Sequence, residues 1–216
     1  MAINHTGYFD FTYAGLAARP RGRLVRFMAK KSVFGHRVTG PLMRGMKHIP
    51  VDRHAGQGAI EAGLAAVRAG EIVGIFPEAT MSRSFELKPF KGGAARIARD
   101  GGVPLLPTTL WGSQRVWTKD APKHRLRSNT PIHITVGQPM HLAADADLNE
   151  ATEQLRLAMA GQLAAQQAAY PRMTGDDLRY LPARLGGTAP TPEQAHERDH
   201  HDMTRRVDKF NRGSSS

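Results

Sequence analysis

The chain has 216 residues and no cysteine. That absence excludes a disulfide scaffold, a thiolate zinc site and a cysteine nucleophile, and it fits a cytosolic protein. No apolar run approaches the ~18–20 residues that cross a bilayer. Polar Asn4 and His5 stand where the long apolar stretch of a secretory signal would begin. Aromatic residues are scarce, at 6%, and Phe27 and Phe34 among prolines do not resemble a base-stacking platform, so no nucleic acid partner is expected. There is no G-x-S-x-G hydrolase elbow. The stretch GQGAIEAG places Glu61 where a dinucleotide loop needs its third glycine, so it reads as the start of a helix. Internal repeats are absent.

Acidic residues are locally scarce too. The formal charge is +11, and it is unevenly placed. Residues 19–53 hold ten basic side chains against Asp52 alone. Such a surface calls for an anionic partner. Leu24, Val25, Phe27, Met28, Val33 and Phe34 are interleaved with the charges, which suits anionic lipid headgroups better than nucleic acid.

What is present is an alternation of strand-like and helix-like patterns. Strands are expected at 23–29 (RLVRFMA), 48–51 (HIPV), 72–76 (IVGIF), 103–111 and 131–137. Helices are expected over 9–18, 36–46, 56–71, 91–102 and 148–169. This predicts an α/β fold, a layered sheet of mostly parallel strands flanked by helices, over residues 1–185. In such sheets, sites gather at loops leaving the strand ends. The polar stretch 186–216 is poor in apolar residues and is expected to be a disordered tail.

Four short blocks carry chemistry. In HTGYFD, a histidine and an aspartate stand five apart: an imidazole can take a proton from a hydroxyl, and a carboxylate on its other nitrogen fixes the tautomer. In FPEATMSRS, an apolar strand runs into Pro77, Glu78, hydroxyls and Arg83. In MKHIPVDR, Arg53 follows a short strand and suits bidentate phosphate contact. VPLLP fixes the approach to a fourth strand.

In that order, the four blocks resemble the H-x4-D, G-x-I-x-x-D-R, F-P-E-G-T-R-S and V-P-hydrophobic-x-P blocks of the glycerophospholipid acyltransferase family, over roughly residues 3–168. The resemblance implies an enzyme that moves a fatty acyl group from acyl-CoA, or from acyl carrier protein, to the hydroxyl of a lysophospholipid such as lysophosphatidic acid. It implies His5 as general base and Asp10 as its orienter. It implies Arg53 at the acceptor phosphate, Glu78, Thr80 and Ser82 near the glycerol, and Phe76 and Pro77 as wall; with Met81 in the family's arginine position, either Arg83 reaches into the same pocket or the phosphate is held mainly by Arg53 with Lys88 or Lys91. No metal or prosthetic group is implied. The implied location is peripheral, on the anionic cytoplasmic face of the cell membrane.

Two departures stand out. Ala79 and Met81 occupy the family's Gly and Arg positions, which leaves open another glycolipid or a lysophosphatidylinositol-type acceptor. The family's usual helix and strand ahead of H-x4-D are also expected to be lacking. Two remote alternatives are a basic nucleic-acid-binding module and a zinc-dependent hydrolase built on the tail string HERDH (His196, Glu197, His200).

Overall fold

A computed structural model describes residues 1–52, 56–122 and 129–213, with side chains described as far as Arg205. The chain order is β1 (Ala2–Ile3), α1 (Asp10–Leu16), β2 (Val25–Lys30), α2 (Lys31–Phe34), α3 (Thr39–Gly45), β3 (Ile49–Val51), α4 (Gly56–Arg68), β4 (Ile72–Gly74), α5 (Gly93–Gly101), β5 (Pro107–Trp111), β6 (His133–Val136), α6 (Leu148–Ala169) and α7 (Pro192–Gly213).

The strands form two three-stranded sheets, β3-β2-β4 and β1-β5-β6. A parallel bridge between Ala2 and Ile75 joins them, giving the order β3-β2-β4-β1-β5-β6. Among these strands every pairing is parallel except β5 with β6, which an isolated antiparallel bridge between Leu105 and Met140 extends. The expected α/β sheet is therefore present, and its parallel strands deliver their following loops to one edge. β1 is only two residues long, yet neither of its edges is open. Ile3 N–H donates to Ile75 O at 2.9 Å, Ile75 N–H to Met1 O at 3.0 Å, and Ala2 N–H to Leu106 O at 2.9 Å.

Successive strand residues face opposite sides, and the core follows that rule. Ala2 packs with Ala94, Ala95 and Ala98 of α5 and with Ala151, Leu155 and Met159 of α6. Ile3 faces the other layer, with Ala14 of α1, Val25 and Phe27 of β2, and Leu110 of β5. α6 covers the expected range. Asp147 caps it by accepting from the N–H groups of Asn149 and Glu150, both at 2.8 Å. Its buried stripe runs Ala151, Leu155, Met159, Leu163 and Gln166. α4 crosses α5 closely because Gly63 has no side chain: a Cβ there would lie 2.4 Å from Ile97 Cδ1. Pro41 sits in the first turn of α3, where its missing N–H would have no intrahelical partner.

The tail departs from expectation. Residues 192–213 form α7, not a disordered segment. Thr191 and Gln194 cap its start reciprocally, with Gln194 N–H donating to Thr191 Oγ1 at 3.3 Å and Thr191 N–H to Gln194 Oε1 at 3.1 Å. Pro192 occupies the first helical position, where its fixed φ is already suitable.

Candidate active site

β1 ends at Ile3, and the next residues hold the chain in register. Asn4 is fully buried, and its side chain imitates a strand residue: Leu110 N–H donates to Asn4 Oδ1 at 2.7 Å, and Asn4 Nδ2 donates to Leu110 O at 3.0 Å. His5 follows. Its backbone is clasped from both sides by the loop leaving β4. His5 N–H donates to Glu78 Oε1 at 2.8 Å, and Ser82 N–H donates to His5 O at 2.7 Å.

The imidazole is oriented by Asp10, with Nδ1 2.9 Å from Asp10 Oδ2. The same oxygen accepts from Thr6 N–H at 2.7 Å and Gly7 N–H at 2.8 Å. Asp10 is fully buried, whereas the His5 side chain is 22% exposed. Asp10 Oδ2 thus acts only as an acceptor, facing three N–H groups. It holds the proton on His5 Nδ1, so that Nε2 is the basic nitrogen. Gly7 is needed for closeness: a Cβ there would lie 3.0 Å from Ser113 O, 3.1 Å from Trp117 O and 3.1 Å from Asp10 Oδ1. The i, i+5 spacing works because His5 leaves a strand while Asp10 opens α1.

Phe76 stacks on the His5 ring, with centroids 4.2 Å apart and planes inclined by 24°. Phe27 stacks in turn on Phe76 at 5.6 Å, and Phe11 and His48 close the same aromatic cluster edge-on. His48 Nδ1 accepts from Phe27 N–H at 3.1 Å. Burial, with Arg26 nearby, pushes its pKa down, so it stays neutral.

Glu78 is buried, and both its oxygens are occupied by backbone donors: His5 N–H on Oε1, and Lys88 N–H on Oε2 at 3.1 Å. Burial pushes its pKa up to about 8, against the pull of those two N–H groups and the Lys88 charge. The carboxyl expected at the glycerol thus fastens the His5 loop to the β4 loop. Pro77 is buried, and its carbonyl accepts from Lys91 N–H at 2.9 Å. Ala79, in the family's glycine position, keeps the left-handed backbone at φ +60°. An alanine there carries roughly 1 kcal/mol of strain. Met81 is buried, with Thr118 Oγ1 3.5 Å from its Sδ. Ser82 is buried as well, and its hydroxyl donates to Glu86 O at 2.7 Å.

Arg83 lies beyond, only 6% exposed, within a cluster of charges. It pairs with Asp120 at 2.9 Å, and with Asp199 at 3.0 Å and Asp202 at 2.6 Å, both on α7. Lys88 Nζ reaches Asp199 at 2.7 Å and Thr80 Oγ1 at 2.6 Å, and Lys119 Nζ reaches Asp199 at 3.2 Å. Burial lowers the Arg83 pKa, but the three carboxylates outweigh it and hold the guanidinium firmly charged.

The structure therefore brings together His5, Asp10, Phe76, Pro77, Glu78, Thr80, Ser82 and Arg83, with Lys88 beside them. Arg53 lies outside the described residues. Asn4, Thr6, Gly7, Lys119, Asp199 and Asp202 were not singled out from sequence; their partners lie far along the chain, except for Thr6 and Gly7, whose N–H groups point at Asp10. HERDH lies on α7 with His196, Glu197 and His200 exposed. Among the described residues, no group of three or more histidine, aspartate or glutamate side chains is placed to hold a metal ion.

An Asp–His pair at the carboxyl edge of a parallel sheet, with cations in the adjoining loop, is an arrangement that can take a proton from a hydroxyl. The comparisons narrow this. A family model described as Acyltransferase matches residues 1–111. The 1-acyl-sn-glycerol-3-phosphate acyltransferase of Bacillus subtilis (strain 168) is 32% identical over 149 residues, spanning 68% of this chain and 69% of that protein. A chloroplastic 1-acyl-sn-glycerol-3-phosphate acyltransferase of Brassica napus is 27% identical over 163 residues, spanning 71% of this chain and 45% of that protein. The crystal structure of the 1-acyl-sn-glycerophosphate acyltransferase PlsC from Thermotoga maritima superposes with a TM-score of 0.59 at 18% identity, covering 79% of this chain and 67% of that one. That last likeness bears on the fold alone. The chain belongs to the acyltransferase family.

Proposed function

We propose that the protein transfers a fatty acyl group from the thioester of acyl-CoA to the free hydroxyl of lysophosphatidic acid. The observation that carries this reading is the His5–Asp10 pair, with Nε2 left as the basic nitrogen, one backbone clasp away from Arg83 and Lys88. In the reaction, Nε2 takes the hydroxyl proton as the oxygen attacks the thioester carbonyl. Asp10 stabilises the imidazolium that forms. Collapse of the tetrahedral intermediate breaks the C–S bond, and the departing thiolate recovers the proton from His5. An ester bond is made, and no acyl-enzyme forms. A positioned base of this kind contributes roughly 10²–10⁴ in rate; holding both substrates in place supplies much of the remainder. Arg83 and Lys88, with Arg53, are the cations proposed for the acceptor phosphate.

The acceptor and donor reach the site from a lipid surface in this reading. Among the described residues, no helix is long and apolar enough to cross a membrane. Leu24, Val38 and Leu42 are exposed among the basic side chains of residues 19–53. We propose that this face meets anionic lipid on the cytoplasmic side. Vesicles containing anionic lipid should bind the protein and release it as salt rises; equal binding to neutral vesicles refutes electrostatic docking.

The test of the chemistry is release of free thiol from acyl-CoA, or from acyl carrier protein, against a panel of acceptors that includes lysophosphatidic acid and lysophosphatidylinositol. Wild type should turn over only with acceptor, and His5→Ala should lose this by about 10²-fold or more. Undiminished acceptor-dependent turnover in His5→Ala refutes the mechanism.

A further inference from the structure

α7 is held to the domain in an unusual way. Along its described side chains, the residues turned inward are Ala195, Asp199 and Asp202, spaced as one stripe of a helix. Ala195 is buried, Asp199 and Asp202 are half-buried, and the other described side chains of the helix are exposed. One alanine buries little apolar surface, so over residues 192–205 hydrophobic burial contributes little to holding the helix down. Its described attachments are ionic: Asp199 to Arg83, Lys88 and Lys119, and Asp202 to Arg83.

Those cations are tied directly to the catalytic loop. Lys88 N–H shares Glu78 with His5 N–H, and Arg83 follows Ser82, whose N–H holds His5 O. With α7 in place, the three cations face three carboxylates, Asp120, Asp199 and Asp202. The cluster is then balanced and offers no net field to an incoming anion. Asp199 alone engages all three cations, as a single phosphate group would.

We propose that α7 is an ionic strap across the acceptor site, in which Asp199 and Asp202 occupy the cations that a phosphomonoester must reach. This rests on the reading of Arg83 and Lys88 as acceptor contacts. The strap and the acceptor phosphate compete for the same charges, so each displaces the other. Over residues 192–205 the helix is docked by ion pairs and one alanine, so it can leave while the core of the domain is untouched: the partly exposed lysine pairs exchange for water at little cost, and Arg83 becomes solvated as the helix departs. A phosphorylated acceptor opens the site for itself, and uncharged molecules do not.

The full chain tests this with two measurements. In the first, acceptor-dependent thiol release is compared among wild type, the Asp199→Asn/Asp202→Asn double variant, and Glu193→Gln, a control that removes an exposed α7 carboxylate away from the cluster. The double variant should lower the acceptor KM by about 5–50-fold, the usual size of such a coupling, with kcat little changed. Glu193→Gln should match wild type. In the second, amide exchange over residues 192–205 is followed as inorganic phosphate is added. In wild type, exchange should speed up with phosphate and not with sodium chloride of equal ionic strength. In the double variant it should be fast from the start.

An unchanged KM in the double variant, or α7 protection that phosphate does not alter, overturns the strap. Equal opening by chloride also overturns it, because phosphate is then not the competing ligand. Absence of any acceptor-dependent turnover in wild type refutes the acyl-transfer reading instead, and the exchange measurement still decides the strap.

Discussion

Asp10→Asn isolates the charge in the proposed catalytic pair. Asp10 Oδ2 accepts from His5 Nδ1, Thr6 N–H and Gly7 N–H. An asparagine with its carbonyl oxygen in that place keeps all three bonds. The reversed amide would point its NH2 at three donors, so the side chain has one workable orientation. The amide then takes the buried, unpartnered place of Oδ1 beside Gly7, at a stability cost of about 1–3 kcal/mol. Geometry and tautomer survive, and the negative charge goes. Charge centres about 4 Å apart interact by roughly 4 kcal/mol at an effective dielectric of 20. Solvent reaching the 22%-exposed His5 ring reduces this. An interaction of about 2–4 kcal/mol with the imidazolium corresponds to roughly a 30- to 1000-fold loss in kcat. Thiol release from acyl-CoA measures that loss, and thermal unfolding measured alongside should show a folded protein. Asp10→Ala should behave differently: it strands the buried Thr6 and Gly7 N–H groups, at about 1–3 kcal/mol each, and lowers stability as well as rate. A folded Asp10→Asn protein with kcat within threefold of wild type refutes the assignment of Asp10 as the group that stabilises the imidazolium.

Glu78→Gln must turn its NH2 toward one of two backbone donors, so it should lower stability by about 2–4 kcal/mol and depress kcat while barely moving the acceptor KM; a change confined to KM would restore Glu78 to the glycerol. The pH dependence carries a sign. The folded pKa of Glu78, about 8, lies above its ordinary 4.5, so the folded state binds the extra proton between those values. The stability this supplies is complete below about pH 4.5 and is lost as pH rises through 8; urea unfolding from pH 5 to 8 should show a fall in wild type that is absent in Glu78→Gln. Gly7→Ala should reduce activity more than stability, since its Cβ would press on Asp10 Oδ1 and two backbone carbonyls; a fully active, equally stable variant refutes the close-approach argument. Asn4→Ala leaves Leu110 N–H and C=O unsatisfied in the core and should cost about 1–3 kcal/mol by urea unfolding; an unchanged midpoint would show that water replaces the amide.

Much of the sheet and its helices was legible, and the reason is local. α6 announces itself through an apolar stripe and the Asp147 cap. The parallel strands read as short apolar runs because both faces of the sheet are covered. α7 was not legible by the same means. Its described inward stripe is Ala195, Asp199 and Asp202, so over the first three turns apolar periodicity is weak. The signal that was available is at its start: Thr191-Pro192-Glu193-Gln194 carries the capping pattern with proline at the first helical position. The composition of the tail outweighed that short pattern.

The site divides similarly. His5 and Asp10 are five residues apart, and their pairing follows from a strand end meeting a helix start. The role of Glu78 is set by a partner seventy-three residues away. A Pro-Glu at a strand end suggests a carboxylate facing substrate, but here the oxygens are turned inward onto His5 N–H and Lys88 N–H. That inward turn explains how a two-residue strand can hold His5, the proposed base, in place. The precision of His5 does not come from the length of β1. It comes from Asn4 locked onto Leu110, from Glu78 on one side of the His5 peptide and Ser82 on the other, and from Thr118 Oγ1 donating to Thr6 O at 2.6 Å. Each of these ties reaches at least seventy residues along the chain. The base is therefore positioned by the loops of β4 and β5 as much as by its own strand. Substitutions in those loops should appear as losses in kcat even where they touch no substrate.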